Sequence, residues 1–217
     1  MGRTLFSMSG EGGTGRLTIA AALPAVRAGE DPGPAETIEA AWDAPAAVEA
    51  SGPLLLVAPE GTADALAGTV DAGAVLAPLL GAIGSFGRRV QAVRIAFPDG
   101  HERDDALLER LLAAWPRDLR LALDLADPTW EDDAVHARLR DAGVALVATD
   151  RPGVDEPVLR RLAPFLYLRL LRPWQTPMPA DKWRARIAPF LADGCDVIVV
   201  LGHADPEVAE RIGSAPA

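Results

Sequence analysis

Six short runs of Val, Leu, Ile and Ala constrain this chain most, at residues 54–58, 90–97, 119–125, 144–149, 165–171 and 197–201. Most are nearly continuous in apolar residues, not alternating, as strands covered on both faces are. Segments of helical period lie between them. Residues 104–115 open on Asp104 and Asp105 and stop before Pro116. Residues 132–142 open on Asp132 or Asp133 and stop at Gly143, and residues 180–192 carry Asp181 near the start and Gly194 just beyond the end. Acids in the first turn and glycine after the last are helix start and stop signals. The alternation predicts βα units joined by right-handed crossovers. With one or two more strands at the N-terminus, an α/β fold of seven or eight mostly parallel strands follows. That number favours a TIM-like (β/α) barrel over an open doubly wound sheet.

The first fifty residues do not follow this rhythm. Residues 4–8 and 17–23 both read as strands, but the eight residues between them are too few for a crossover helix. Either the two form a hairpin or one is not a strand. Residues 35–49 have helical composition, interrupted by Pro45. The chain, at 217 residues, is short for a barrel that typically takes about 250. No linker divides it, so residues 1–217 read as one domain, irregular or shortened at its N-terminal end. A shortened barrel would leave an open edge for a second copy to cover, which raises the expectation of a homo-oligomer.

Composition narrows the partners. The 31 acidic against 21 basic side chains, net −10, argue against a nucleic-acid ligand, which needs a basic footprint. No apolar stretch approaches the ~20 residues that span a bilayer, and the N-terminus lacks the pattern of a secretory signal. A cytoplasmic protein without a membrane partner is the expectation. The single cysteine, Cys195, excludes an intramolecular disulfide framework and reads as a buried, inert thiol. Gly10, Gly12 and Gly15 match a dinucleotide fingerprint only as a string, because strand-like residues follow where a helix should open. No cofactor and no metal ligand set is assigned.

The order of short motifs is more specific. Residues 121–130, LALDLADPTW, resemble the "(L/Y)-A-V-E-F-R-H-P-S-W" segment of the YecE-like family, domain of unknown function 72. Residues 143–150, 165–170 and 196–201 follow in the family's order and resemble its "G-V-A-L-V-L-A-D", "F-x-Y-V-R-L-H-G" and "D-V-Y-V-Y-F-N-N". Upstream, residues 75–79 and 94–98 resemble its "F-L-x-x-L" and "L-F-Q-L-P-P". The similarity spans residues 54–205, and residues 1–50 are remodelled, with no clear counterpart of the family's first strands. The resemblance implies a TIM-like barrel and no established activity. It also exposes departures. The family's strand-three Lys falls on Val57, its Gln on Ala96, and the Arg and His after its acidic residue on Ala126 and Asp127. The His-Gly after its strand-seven Arg becomes Leu171 and Arg172. Asp124, Trp130, Asp150 and Arg169 persist.

In such a barrel the reactive face lies at the C-terminal ends of the strands. That face would carry Glu60, Asp99, His101, Asp124, Asp127, Asp150, Arg172 and His203, with Arg169 projecting from within its strand. Carboxylates and imidazoles can hold a divalent cation or move protons. Asp is equally common there as a helix cap. Arg169, alone in an apolar strand, needs a buried partner, and Asp124 or Asp150 is the natural one. A clamp on a ligand carboxylate or phosphate is its second reading. Trp174, among Pro173, Pro177 and Pro179, belongs to a rigid connection or a lid, and His136, between acids, reads as a solvated helix position. The candidate pocket is Asp124, Trp130, Asp150, Arg169 and His203. The leading expectation is a barrel with a degenerate catalytic site that binds an unknown small molecule or protein partner. The rival is an enzyme with a rewired acidic site, metal-assisted or not, acting on a small phosphorylated or sugar-like substrate.

Overall fold

Eight parallel strands pair in chain order and close on themselves. They are β1 (Leu17–Ala22), β2 (Ile38–Ala41), β3 (Leu54–Val57), β4 (Val90–Phe97), β5 (Leu121–Leu125), β6 (Ala145–Asp150), β7 (Phe165–Leu170) and β8 (Asp196–Leu201). The structure is a computed structural model, and it describes residues 15–22, 38–41, 53–172, 178–202 and 206–213. Helices α1 (Thr62–Ala67) and α2 (Ala72–Phe86) follow β3, and α3 (Asp105–Ala114) follows β4. Helix α4 (Asp133–Ala142) follows β5, α5 (Met178–Ala192) follows β7 and α6 (Pro206–Gly213) follows β8. Residues 151–164, between β6 and β7, cross without a helix.

The apolar runs split their side chains between two sides, which is why they read as continuous. Inside the barrel, Ala20, Leu55, Ala92, Ala122, Ala145, Val147, Phe165, Tyr167, Ile198 and Val200 form one buried cluster. The small alanines of β4, β5 and β6 leave the room that the rings of Phe165 and Tyr167 fill. Outside it, Leu54, Leu56, Val93, Ile95, Leu121 and Leu123 pack beneath α1 to α4. Leu166, Leu168, Val197 and Val199 do the same beneath α5 and α6. The expected caps are in place. Asp104 accepts the N–H of Leu107 at 2.9 Å, and Asp132 accepts that of Ala134 at 2.8 Å. Gly143 ends α4 at φ 68°, a conformation that suits glycine.

The N-terminal part corrects several expectations. Residues 38–41 are strand, not helix, and pair with both β1 and β3. Strand β1 pairs with β2 and, over five residue pairs, with β8. The ring of described strands is therefore closed, and the open edge expected from a shortened barrel is not seen among the described residues. Residues 4–8, Gly10, Gly12, Trp174 and His203 lie outside the described residues. Gly15 has a packing reason to be glycine: a Cβ there would stand 1.9 Å from the carbonyl oxygen of Cys195. His136 is buried at 7% exposure, not solvated, because its face of α4 turns inward. Its Nε2 lies 3.6 Å from Glu131 Oε2. Among the described residues, no helix is long and apolar enough to cross a membrane.

Candidate functional site

Strand parity decides which polar side chains reach the interior. Ala92, Ala122, Val147 and Tyr167 point inward, so Arg94, Asp124, Thr149 and Arg169, two residues further on, do the same at the next level. The register sets Asp124 beside Ala96 and Thr149 beside Arg169. Two guanidinium groups converge on one carboxylate oxygen there. Arg94 Nη1 lies 3.0 Å from Asp124 Oδ2, and Arg169 Nη1 lies 3.6 Å from the same atom. The three side chains are only 10%, 17% and 16% exposed for Arg94, Asp124 and Arg169. An internal guanidinium needs such a carboxylate, since an uncompensated buried charge costs several kcal/mol. Arg94 was not among the residues singled out from the sequence. It carries the same signal as Arg169, a lone arginine inside an apolar run.

Thr149 completes the inner ring at this level. Its Oγ1 is withdrawn from water and has no hydrogen-bond partner. Leaving a hydroxyl in that state costs about 1–3 kcal/mol. Ala96, on the inner side of β4, is exposed, so the interior opens to solvent at this end of the strands.

The remaining candidates lie elsewhere. Asp150 follows Thr149 and so points to the outer side of β6, where it is 3% exposed and meets Arg172 Nε at 2.5 Å. The same Arg172 donates to the carbonyl of Val154. Trp130, 2% exposed, also sits outside the barrel, edge-on to Phe97, with its indole N–H donating to the His101 carbonyl at 2.8 Å. The structure thus brings Asp124 and Arg169 together and places Asp150 and Trp130 on the other side of the sheet. The loop acids are engaged in turns and surface pairs. Asp127 accepts from the Thr129 hydroxyl at 2.7 Å and backbone N–H at 2.9 Å, and the hydroxyl bond above all holds its carboxyl below the ordinary range. Asp99 pairs with Arg151 at 3.3 Å, and His101 Nδ1 stands 3.5 Å from Asp64.

No three His, Cys, Asp or Glu side chains gather as a metal ligand set among the described residues. Cys195 is fully buried, and burial pushes its thiol up, away from the thiolate a nucleophile needs.

At the opposite end, the floor, another arginine and aspartate pair. Arg120 Nη2 meets Asp196 Oδ2 at 2.5 Å and its guanidinium lies 5.2 Å from the centre of the Phe165 ring. The Arg16 N–H donates to the other Asp196 oxygen at 2.7 Å. Burial would raise the Asp196 carboxyl, but the Arg16 N–H and the Arg120 guanidinium outweigh it and hold it below the ordinary value.

A sequence profile described as "Protein of unknown function DUF72" matches residues 61–211. No curated protein matches the chain. Its fold is similar to that of a DUF72 family protein from Thermotoga maritima, with TM-score 0.64, 12% identity and 82% of each chain covered. It is likewise similar to a DUF72 family protein from Enterococcus faecalis, with TM-score 0.68, 11% identity and 91% of this chain and 92% of that one covered. At such identities these likenesses establish the fold alone.

Proposed function

The chain belongs to the DUF72 family, a family of uncharacterised function, and from that premise we propose that it is a ligand-binding barrel whose mouth no longer performs acid–base catalysis. The observation that carries this reading is the engagement of Asp124 by both Arg94 and Arg169. A general acid or base must exchange a proton with a substrate within hydrogen-bond reach. A carboxylate engaged by two mostly buried guanidinium groups is spent on holding them in place. Asp150, the other retained acid, is turned outward onto Arg172. A rewired acidic centre would need both carboxylates facing one space. The positions that the family resemblance gives to a lysine and a glutamine are Val57 and Ala96, on the inner side next to Arg94. What remains at the mouth is an inner side exposed at Ala96 beside the hydrogen-bond donors Arg94, Thr149 and Arg169, which suits binding.

The test is a thermal-shift screen of small metabolites on the wild-type chain and on Ala96→Trp, which fills the mouth beside the charged cluster while leaving Arg94, Asp124 and Arg169 themselves unchanged. One or more compounds should raise the melting temperature of the wild type, lose that effect in Ala96→Trp, and be recovered unchanged by mass spectrometry. Compounds that act equally on both proteins, or that are consumed, would overturn the reading.

A further inference from the structure

We infer that the mouth takes the oxyanion end of its ligand, a carboxylate or phosphoryl group seated against Thr149 and Arg169; this rests on the mouth being the ligand site. The Thr149 hydroxyl is the starting point. It is buried, it has no partner, and it lies on the inner side of β6. A fold gains nothing from an orphaned hydroxyl here, since valine has the same shape and suits a strand better. A bound group that accepts its proton explains why threonine stands there.

The neighbour sets the chemistry of that group. Thr149 is the register partner of Arg169 on the adjacent strand, and adjacent strands lie about 4.8 Å apart. A ligand group at this end of β6 and β7 would therefore lie next to both residues. A guanidinium only donates, through a planar fork that matches carboxylate and phosphate oxygens. The nearby carboxylate, Asp124, already receives Arg94 and Arg169. The ligand group must then be an acceptor. Hydrogen bonds to a charged acceptor are roughly twice as strong as those to a neutral one, so an anionic oxygen fits better than an amide or sugar hydroxyl. Asp124 acts as a positioning residue: it fixes the Arg169 fork before the ligand arrives, which lowers the ordering cost of binding.

The experiment is isothermal titration calorimetry at low ionic strength with inorganic phosphate, succinate and, as an uncharged control, glycerol. The proteins are the wild type, Thr149→Val and Thr149→Ser. Saturable binding of phosphate identifies the phosphoryl form and of succinate the carboxylate form. Thr149→Val should bind that anion roughly tenfold more weakly, Thr149→Ser should bind it nearly as well as the wild type, and glycerol should not bind. If neither anion binds saturably, or if Thr149→Val binds as the wild type does, the inference is overturned. The two readings fail separately. An uncharged metabolite whose effect is lost in Ala96→Trp would leave the mouth as the site and remove the oxyanion. Ligands indifferent to Ala96→Trp would remove both.

Discussion

The floor and the mouth of this barrel use the same ingredients to different ends. At the floor, one aspartate, Asp196, receives Arg120 and the Arg16 N–H, and the guanidinium is also packed over Phe165. Gly15 closes against the Cys195 carbonyl so tightly that no side chain fits. The Arg16 and Gly15 contacts join the first strand to the last, and Arg120 ties the start of β5 to β7 and β8. At the mouth, one aspartate again receives two cations, Arg94 and Arg169, but an unsatisfied hydroxyl is left beside them and the interior is open at Ala96. The contrast follows the division in barrels of this type between a stabilising N-terminal face and a functional C-terminal one. It teaches that an arginine–aspartate bridge does not by itself mark a site. What separates the two ends is whether the surrounding polar groups are all satisfied by the fold.

Substitutions can break that contrast or sharpen it. Asp124→Ala removes the carboxylate from between two mostly buried guanidinium groups and should cost about 3–5 kcal/mol in urea denaturation. Ligand binding at the mouth should go with it. Gly15→Ala forces a Cβ against a backbone oxygen that cannot yield, and should cost about 2–3 kcal/mol by the same measurement. Its mouth should still bind wherever the protein remains folded. Asp196→Asn should cost about 1–2 kcal/mol at neutral pH, again without weakening binding.

The Asp196 effect has a defined pH dependence. Its carboxyl is held below the value of an unfolded chain, so its contribution is complete above about pH 4 and fades as the pH falls through the folded value. The stability difference between the wild type and Asp196→Asn should therefore shrink in acid. A difference that grew as the pH fell would contradict the assignment. The smallest effect has the opposite sign. Thr149→Val should raise stability by about 1 kcal/mol, because it removes a buried hydroxyl that has no partner. A variant that gains stability while losing affinity would separate mouth from floor directly, since no floor substitution should do both.

Much of the barrel was legible in the sequence because burial on both faces leaves continuous apolar runs, and helix caps punctuate them at Asp104, Asp132 and Gly143. The second strand was not. Ile38, Glu39, Ala40 and Ala41 have the composition of a helix, and only pairing with β1 and β3 makes them strand. The site was half legible. Arg169 and Asp124 stood out, as charges in apolar strands must. Arg94 met the same criterion and could have been found by applying it to every run. Asp150 and Thr149 differ by one residue, and one residue decides inside from outside. A run that is apolar on both sides does not reveal its parity, so the sequence favoured the charged neighbour over the hydroxyl. The acids of the strand-to-helix loops, Asp99 and Asp127 among them, sit at the right end of the barrel but are taken up by turns and surface pairs.

The most direct test of the contrast is a titration followed by NMR of the arginine side-chain Nε–H signals, adding phosphate or succinate to the wild-type protein. Arg169 at the mouth should shift saturably with one of these anions, with Thr149→Val weakening the response, while Arg120 at the floor stays in place. If Arg120 shifts as strongly as Arg169, or if Arg169 does not respond to either anion, the division between a binding mouth and a structural floor is wrong.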